Sequence, residues 1–249
     1  MDDDNNPYSA PSINVPVFSN SGAPPELVSK ALRYDNETLI KILIVMFILG
    51  IIAAVAGVVS NAMQISLLSN LPINSEEANA NDMRQGISAF ASITILVVTS
   101  IFFGMFVVRA HRNVRGFGAE GMTITPGWAF GYFFVPILSL FKPYIAMSEL
   151  WRASQSPLRW SNLTKGLVPL WWTLWIVSSI LGQISFRTSM AADTVPLIIG
   201  STWMALVDSV LDVPLCFVTM FMLMRIQRAQ VEWVKSPTQD EEPLQDFNK

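Results

Sequence analysis

Four apolar runs, each long enough for a helix to cross a bilayer, restrict this chain to an all-helical membrane fold. A hydrocarbon core about 30 Å thick takes roughly 20 helical residues at about 1.5 Å each. The runs Leu39–Ser60, Ile87–Val108, Gly166–Phe186 and, approximately, Trp203–Met224 meet that length. Backbone groups inside a bilayer must satisfy one another, so each run is read as a helix. The first run carries Gly50, Ala53, Ala54 and Gly57 at a spacing that lets a second helix approach closely. The third places Trp171, Trp172 and Trp175 just after Lys165, the pattern of an interfacial aromatic belt. Composition agrees: the chain is 51% hydrophobic and 14% charged, against about 25% charged in soluble domains.

Basic residues orient the spans. Arg109, Arg112, Arg115, Lys142, Arg152, Arg159 and Lys165 lie between the second and third runs, and seven more flank the termini. Only Arg84 and Arg187 fall in the other two loops, a split of fourteen to two. Both termini and the central loop are therefore expected in the cytoplasm. The opening MDDDNNPYSAP is acidic where a signal peptide is basic, so the first run is read as a retained helix. Residues 1–33 read as a disordered cytoplasmic tail, 34–230 as the four-span domain and 231–249 as a second cytoplasmic tail.

The stretch Thr125–Ser154 does not fit a simple span. It is strongly apolar and aromatic, but Pro136 and Pro143 interrupt it and Lys142, Glu149 and Arg152 bring in charge. Were Trp128–Phe141 to cross, Lys142, Arg152, Arg159 and Lys165 would lie outside, or every later span would invert. The stretch is also only about 14 residues long, which suits a re-entrant or interfacial segment. Beyond Pro143, the helical spacing of Tyr144, Met147 and Trp151 predicts an amphipathic helix on the cytoplasmic face, with Glu149 and Arg152 placed to pair three apart.

Several of these motifs together carry a family resemblance. RAHRNVRGFG (Arg109–Gly118), TPGW (Thr125–Trp128), FVPI (Phe134–Ile137), FKP (Phe141–Pro143), ELWRAS (Glu149–Ser154) and the terminal MRIQRAQ (Met224–Gln230) occur in this order. The set resembles a bacterial membrane family catalogued as domain of unknown function 4328, from roughly the first span to Gln230. Tyr132-Phe133 departs from a tryptophan pair common there, while keeping the aromatic character. The resemblance implies a multi-span domain of the bacterial inner membrane. It implies no activity and carries over no catalytic residue.

Candidate chemistry is sparse. Asp208 and Asp212 stand four apart on one helix face inside an apolar run. One reading is an ion or proton site beside Pro214, because a carboxylate in a bilayer usually faces a bundle interior or cavity. The other is positional, with Asp208 near the outer interface and Arg187 as its partner. His111 lies among Arg109, Arg112 and Arg115, whose charges favour its neutral form. That group could hold a lipid headgroup or simply anchor the helix by its basic charge. Trp128, Phe130, Tyr132, Phe133 and Phe134 could floor a lipid or quinone pocket or act as interface anchors. Pro136, Lys142, Pro143, Glu149, Trp151 and Arg152 complete a candidate surface for lipid or a partner. Cys216 reads as a packing residue.

These residues leave three classes. A non-enzymatic scaffold or accessory module that binds lipid or a membrane partner comes first. A small proton- or cation-coupled transporter using Asp208 and Asp212 comes second, and a lipid-directed enzyme third. With one histidine and one cysteine, the chain implies no cofactor and no metal, and its net charge of −3 gives no basic surface for nucleic acid. The expected partners are membrane lipids, a membrane protein or a second copy of the chain.

Overall fold

The structure, a computed structural model, describes residues 31–70 and 72–236; the tail expectations for 1–30 and 237–249 lie outside the described residues. Among the described residues the regular structure is helical, without strands. α1 spans Glu37–Ser69, α2 Ser75–Gly116, α3 Pro126–Gly131, α4 Lys142–Gln155, α5 Val168–Ala191 and α6 Val195–Lys235. α1, α2, α5 and α6 hold the four apolar runs and are long and apolar enough to cross a membrane. With 42 and 41 residues, α2 and α6 each reach about 60 Å, twice the hydrocarbon thickness. Both therefore continue well past it, and α6 passes the domain boundary drawn at residue 230.

Local chemistry sets the helix ends. At the start of α2, Asn74 accepts a hydrogen bond from the Glu77 N–H at 2.8 Å while the Glu77 carboxylate accepts from the Asn74 N–H, a reciprocal cap that starts the helix twelve residues before the apolar run. α3, α4, α5 and α6 each carry a proline in their first two positions, where the missing N–H leaves no intrahelical bond unmade. Pro143 thus begins α4 rather than ending a helix. α6 runs through Pro214 without a break.

α1 and α5 begin, and α2 and α6 finish, at the same end of the bundle. That end carries most of the arginines and lysines and is called the basic end below. The compact core lies there. Phe106, Val107, Ala110 and Val114 of α2 pack with Met147 and Leu150 of α4 and with Met222, Leu223 and Ile226 of α6. By contrast, the most apolar window of each spanning helix is only 11–22% buried inside the protein. Lipid solvates such a surface, so little apolar driving force pulls the spans together.

α1 packs against both α2 and α6, and α6 against α5, whereas α2 and α5 have no comparable contact. The α1–α6 seam uses the small residues noted in the sequence. A Cβ placed on Gly57 would lie 3.0 Å from Ser209 Oγ, and one on Gly50 3.3 Å from Cys216 Sγ. The order α2, α1, α6, α5 leaves a lateral gap between its two ends.

Candidate functional site

The segment joining α2 to α5 closes that gap at the basic end. The Phe133 ring lies 5.9 Å from Phe103 on α2 and 6.4 and 5.7 Å from Trp171 and Trp175 on α5. Phe130 packs against Phe103 at 6.4 Å and sits over Gly104, where an added Cβ would come within 2.5 Å of the ring. No helix in this segment has spanning length. After α3 come two 3-10 turns separated by a tight turn, in which the Leu138 N–H donates to the Pro136 carbonyl at 2.8 Å. Ile137 at the centre of that turn has φ 67°, a conformation that costs a β-branched residue of order 1–3 kcal/mol. Phe134 and Ile137 at the tip are 70% and 74% exposed. Trp128 is half exposed and stacks on Tyr132 at 4.9 Å, Pro136 is exposed, and Lys142 lies 5.9 Å from the Tyr132 ring.

Beyond this aromatic bridge the gap is a groove of about 700 Å³. Its α2 wall shows Gln85, Ser88, Ser92, Thr99 and Ser100, polar residues at helical spacing on one face. In a membrane helix a threonine hydroxyl commonly bonds the carbonyl four residues back. Thr94 does so at 2.8 Å, while Thr99 Oγ1 is buried without a partner in the protein. Asn61 of α1 and Ser209, Asp212 and Thr219 of α6 line the back wall.

Both acidic residues of α6 meet one serine. Ser178 Oγ of α5 lies 2.6 Å from Asp208 Oδ1 and 3.0 Å from Asp212 Oδ1. A hydroxyl has one hydrogen, so it bonds both groups at once only when one carboxyl carries a proton and donates it to Oγ. Asp208 also packs against Gly182 of α5, whose added Cβ would be 3.2 Å from Oδ2. Ser178, not Arg187, is thus the partner of Asp208. At about 1.5 Å per residue, Asp212 stands roughly 20 Å and Asp208 roughly 25 Å along α6 from Arg225. Asp212 faces the groove.

The remaining candidates separate into distinct roles at the basic end. Glu149 is 3% exposed and does not pair with Arg152. Its carboxylate accepts hydrogen bonds from the Thr123 N–H at 3.0 Å, the Thr123 hydroxyl and the Ile124 N–H at 3.2 Å. Arg115 donates to the carbonyls of Met122 and Ile124 at 3.1 and 2.9 Å, so the two charged groups clamp the same loop from both sides. Arg152 instead lies 4.9 Å from the Trp160 ring and donates to the Ser161 carbonyl at 3.2 Å. α4 does not lie on a surface as an amphipathic helix would. Pro143, Trp151 and seven of its other residues are buried against α2, α5 and α6, because small residues such as Ala146, Ala153 and Ser154 let it sit inside the core. His111 is fully buried beside the Ala146 backbone, and neither ring nitrogen reaches hydrogen-bond geometry with a neighbour. It has no surface to offer a headgroup.

Arg109 and Arg112, joined by Arg33, surround Tyr34 with their guanidinium carbons 6.0, 5.6 and 5.8 Å from the ring centre. Arg112 Nη1 donates to the Tyr34 oxygen at 3.1 Å. That bond holds the Tyr34 hydroxyl below the usual phenol range, the charges of Arg112 and Arg33 adding to it and desolvation opposing. The Tyr34 backbone is fixed in turn. Asn113 Oδ1 accepts its N–H at 2.9 Å and Asn113 Nδ2 donates to its carbonyl at 2.9 Å. Asn113 Nδ2 also donates to Gln230 Oε1 at 3.1 Å, and Gln230 Nε2 donates to the Ala110 carbonyl and to Ser154 Oγ at 3.2 and 3.0 Å.

Sequence reasoning missed Tyr34, Asn113, Ser178 and the polar face of α2. The last was open to discovery, since Gln85, Ser88, Ser92 and Thr99 follow one another at three, four and seven residues.

Four spanning helices around an intramembrane groove, closed at one end by an aromatic bridge, define a multi-pass helical membrane protein. The profile of a domain of unknown function (DUF4328) matches residues 69–228, more than half of the chain. The chain belongs to that family. The match begins at the last residue of α1, so the first span, which the resemblance was expected to include, lies outside it. No curated protein and no solved structure matches the chain.

Proposed function

We propose that this is a bacterial inner-membrane accessory module, without catalysis of its own, that holds an amphipathic molecule in the α2–α5 groove. The groove itself carries the reading. Its aromatic floor of Phe103, Phe133 and Trp175 suits an apolar chain. Its wall offers hydroxyls and a carboxyl to a polar group, including a Thr99 oxygen with no partner in the protein. Ser92 is exposed on the groove wall, so Ser92→Trp fills the groove without entering the core. Wild-type protein extracted in mild detergent should carry at least one more bound lipid, counted by native mass spectrometry, than Ser92→Trp, at an unchanged melting temperature. Equal lipid counts in the two would count against the reading.

Asp212 on the groove wall supports a second reading, a proton- or cation-coupled carrier using Asp208 and Asp212. The same preparations, reconstituted in vesicles, separate the two. Under the accessory reading neither wild type nor Asp208→Asn/Asp212→Asn takes up protons or cations. Uptake by wild type that vanishes in the double variant would favour the carrier.

In this reading the basic end is cytoplasmic, and Trp128–Phe141 dips into the inner leaflet, with Phe134 and Ile137 facing lipid. In a Cys216→Ser background, Gly131→Cys and Ser161→Cys should both resist an impermeant thiol reagent added to intact cells. Ser161→Cys, at an exposed position, should label once the membrane is opened. Labelling of either from outside would reverse the orientation.

A further inference from the structure

We infer that Arg33, Arg109 and Arg112, gathered around Tyr34, form a binding site for a phosphate group. The cluster is separate from the groove. Phe103 lines the groove, and Arg112 stands nine residues further along α2, half a turn round the helix. Three guanidinium groups within 5.6–6.0 Å of one ring repel each other unless an anion offsets them. Among the described residues no carboxylate forms an ion pair with any of the three: the nearest in sequence, Asp35, accepts from the Glu37 N–H at 2.8 Å, and Glu37 is paired with Lys41 at 2.7 Å.

The cluster is also held in place from inside the protein. Asn113 grips Tyr34 at both its N–H and its carbonyl, and Gln230 grips Asn113 within the buried core. A basic residue that served only to anchor a helix end needs no such support. Because Arg112 donates to the Tyr34 oxygen, the phenolic hydrogen is left to donate elsewhere. Guanidinium groups present paired N–H donors that match phosphate oxygens, and Tyr34 adds a neutral donor at their centre. The depth fits as well: Arg109 follows directly on the apolar run ending at Val108, and Arg33 shortly precedes the one beginning at Leu39. That is the level of lipid headgroups. The phosphate is supplied either by an anionic phospholipid or by a soluble phosphate, and the chemistry of recognition is the same.

The test compares wild type, Arg109→Gln/Arg112→Gln and, as a control, Arg228→Gln, an exposed arginine on α6 outside the cluster. Each is reconstituted in nanodiscs of phosphatidylglycerol and phosphatidylcholine in equal parts, and the lipids retained on extraction are counted by native mass spectrometry. In parallel, inorganic phosphate is titrated against detergent-solubilised protein and the melting temperature followed. Wild type and Arg228→Gln should retain phosphatidylglycerol selectively, and the double variant should lose that selectivity by about tenfold or more. Stabilisation by inorganic phosphate that disappears in the double variant, with no lipid selectivity, would keep the site and assign it to a soluble phosphate. The proposal is overturned if the double variant matches wild type in both arms, or if Arg228→Gln loses as much as the double variant.

Discussion

Gly166→Ala should cost this protein about 2–5 kcal/mol of stability, one of the largest losses available from adding a single methyl group. Gly166 has φ +54°, and a left-handed conformation costs an L-residue roughly 1–2 kcal/mol. Space adds to this. The new Cβ would lie 2.4 Å from the Trp151 indole, which is 8% exposed and packed into the α4 core, and overpacking of that kind costs about 1–3 kcal/mol. Trp151 cannot easily retreat, because α4 is enclosed by α2, α5 and α6. Gly121 supplies an internal control: its φ is +74°, but an added Cβ meets nothing within 4 Å. Gly121→Ala should therefore pay only the conformational part. Equilibrium unfolding of both variants in mixed detergent checks the difference, and equal losses would show that the Trp151 contact contributes nothing.

The sequence and the structure agree where the physics is local or set by the bilayer. Span number follows from the length of the apolar runs, and a close-packing face on α1 from small residues at helical spacing, with α6 as its partner coming only from the structure. Both survive because a bilayer leaves the backbone few alternatives. The reading of α4 fails for an equally physical reason. Glu149 and Arg152 stand three apart, the spacing of an exposed ion pair, and nothing local indicates that Glu149 faces inward. Its partners are backbone N–H groups at 123 and 124, more than twenty residues away. A buried carboxylate that caps an irregular loop looks, in sequence, like a solvated one. The Asp208–Asp212 pair was visible from its spacing of four, but Ser178, thirty residues earlier on another helix, was not. The α2–α5 groove is a property of which helices do not touch, and no run of residues records that.

The buried amide network makes the same point and yields the second large effect. Asn113→Ala should destabilise the protein by roughly 3–5 kcal/mol, since it removes three hydrogen bonds and leaves the Gln230 carbonyl oxygen without a donor in the core. A cycle with Gln230→Met separates this network from simple packing. Gln230 is fully buried, and a methionine of similar length fills its space while asking nothing of position 113. If the two amides act as a unit, the double variant should be more stable than the sum of the single losses predicts, by about 1–2 kcal/mol. Strict additivity would mean that Asn113 and Gln230 contribute separately. The cycle has a second readout at the surface. Asn113 holds Tyr34 beneath Arg109 and Arg112, so Asn113→Ala should weaken phosphatidylglycerol retention, whereas Gln230→Met alone, with both Asn113–Tyr34 bonds intact, should leave most of it. Loss of stability with unchanged lipid retention in Asn113→Ala would show that the arginines keep their arrangement without the core beneath them.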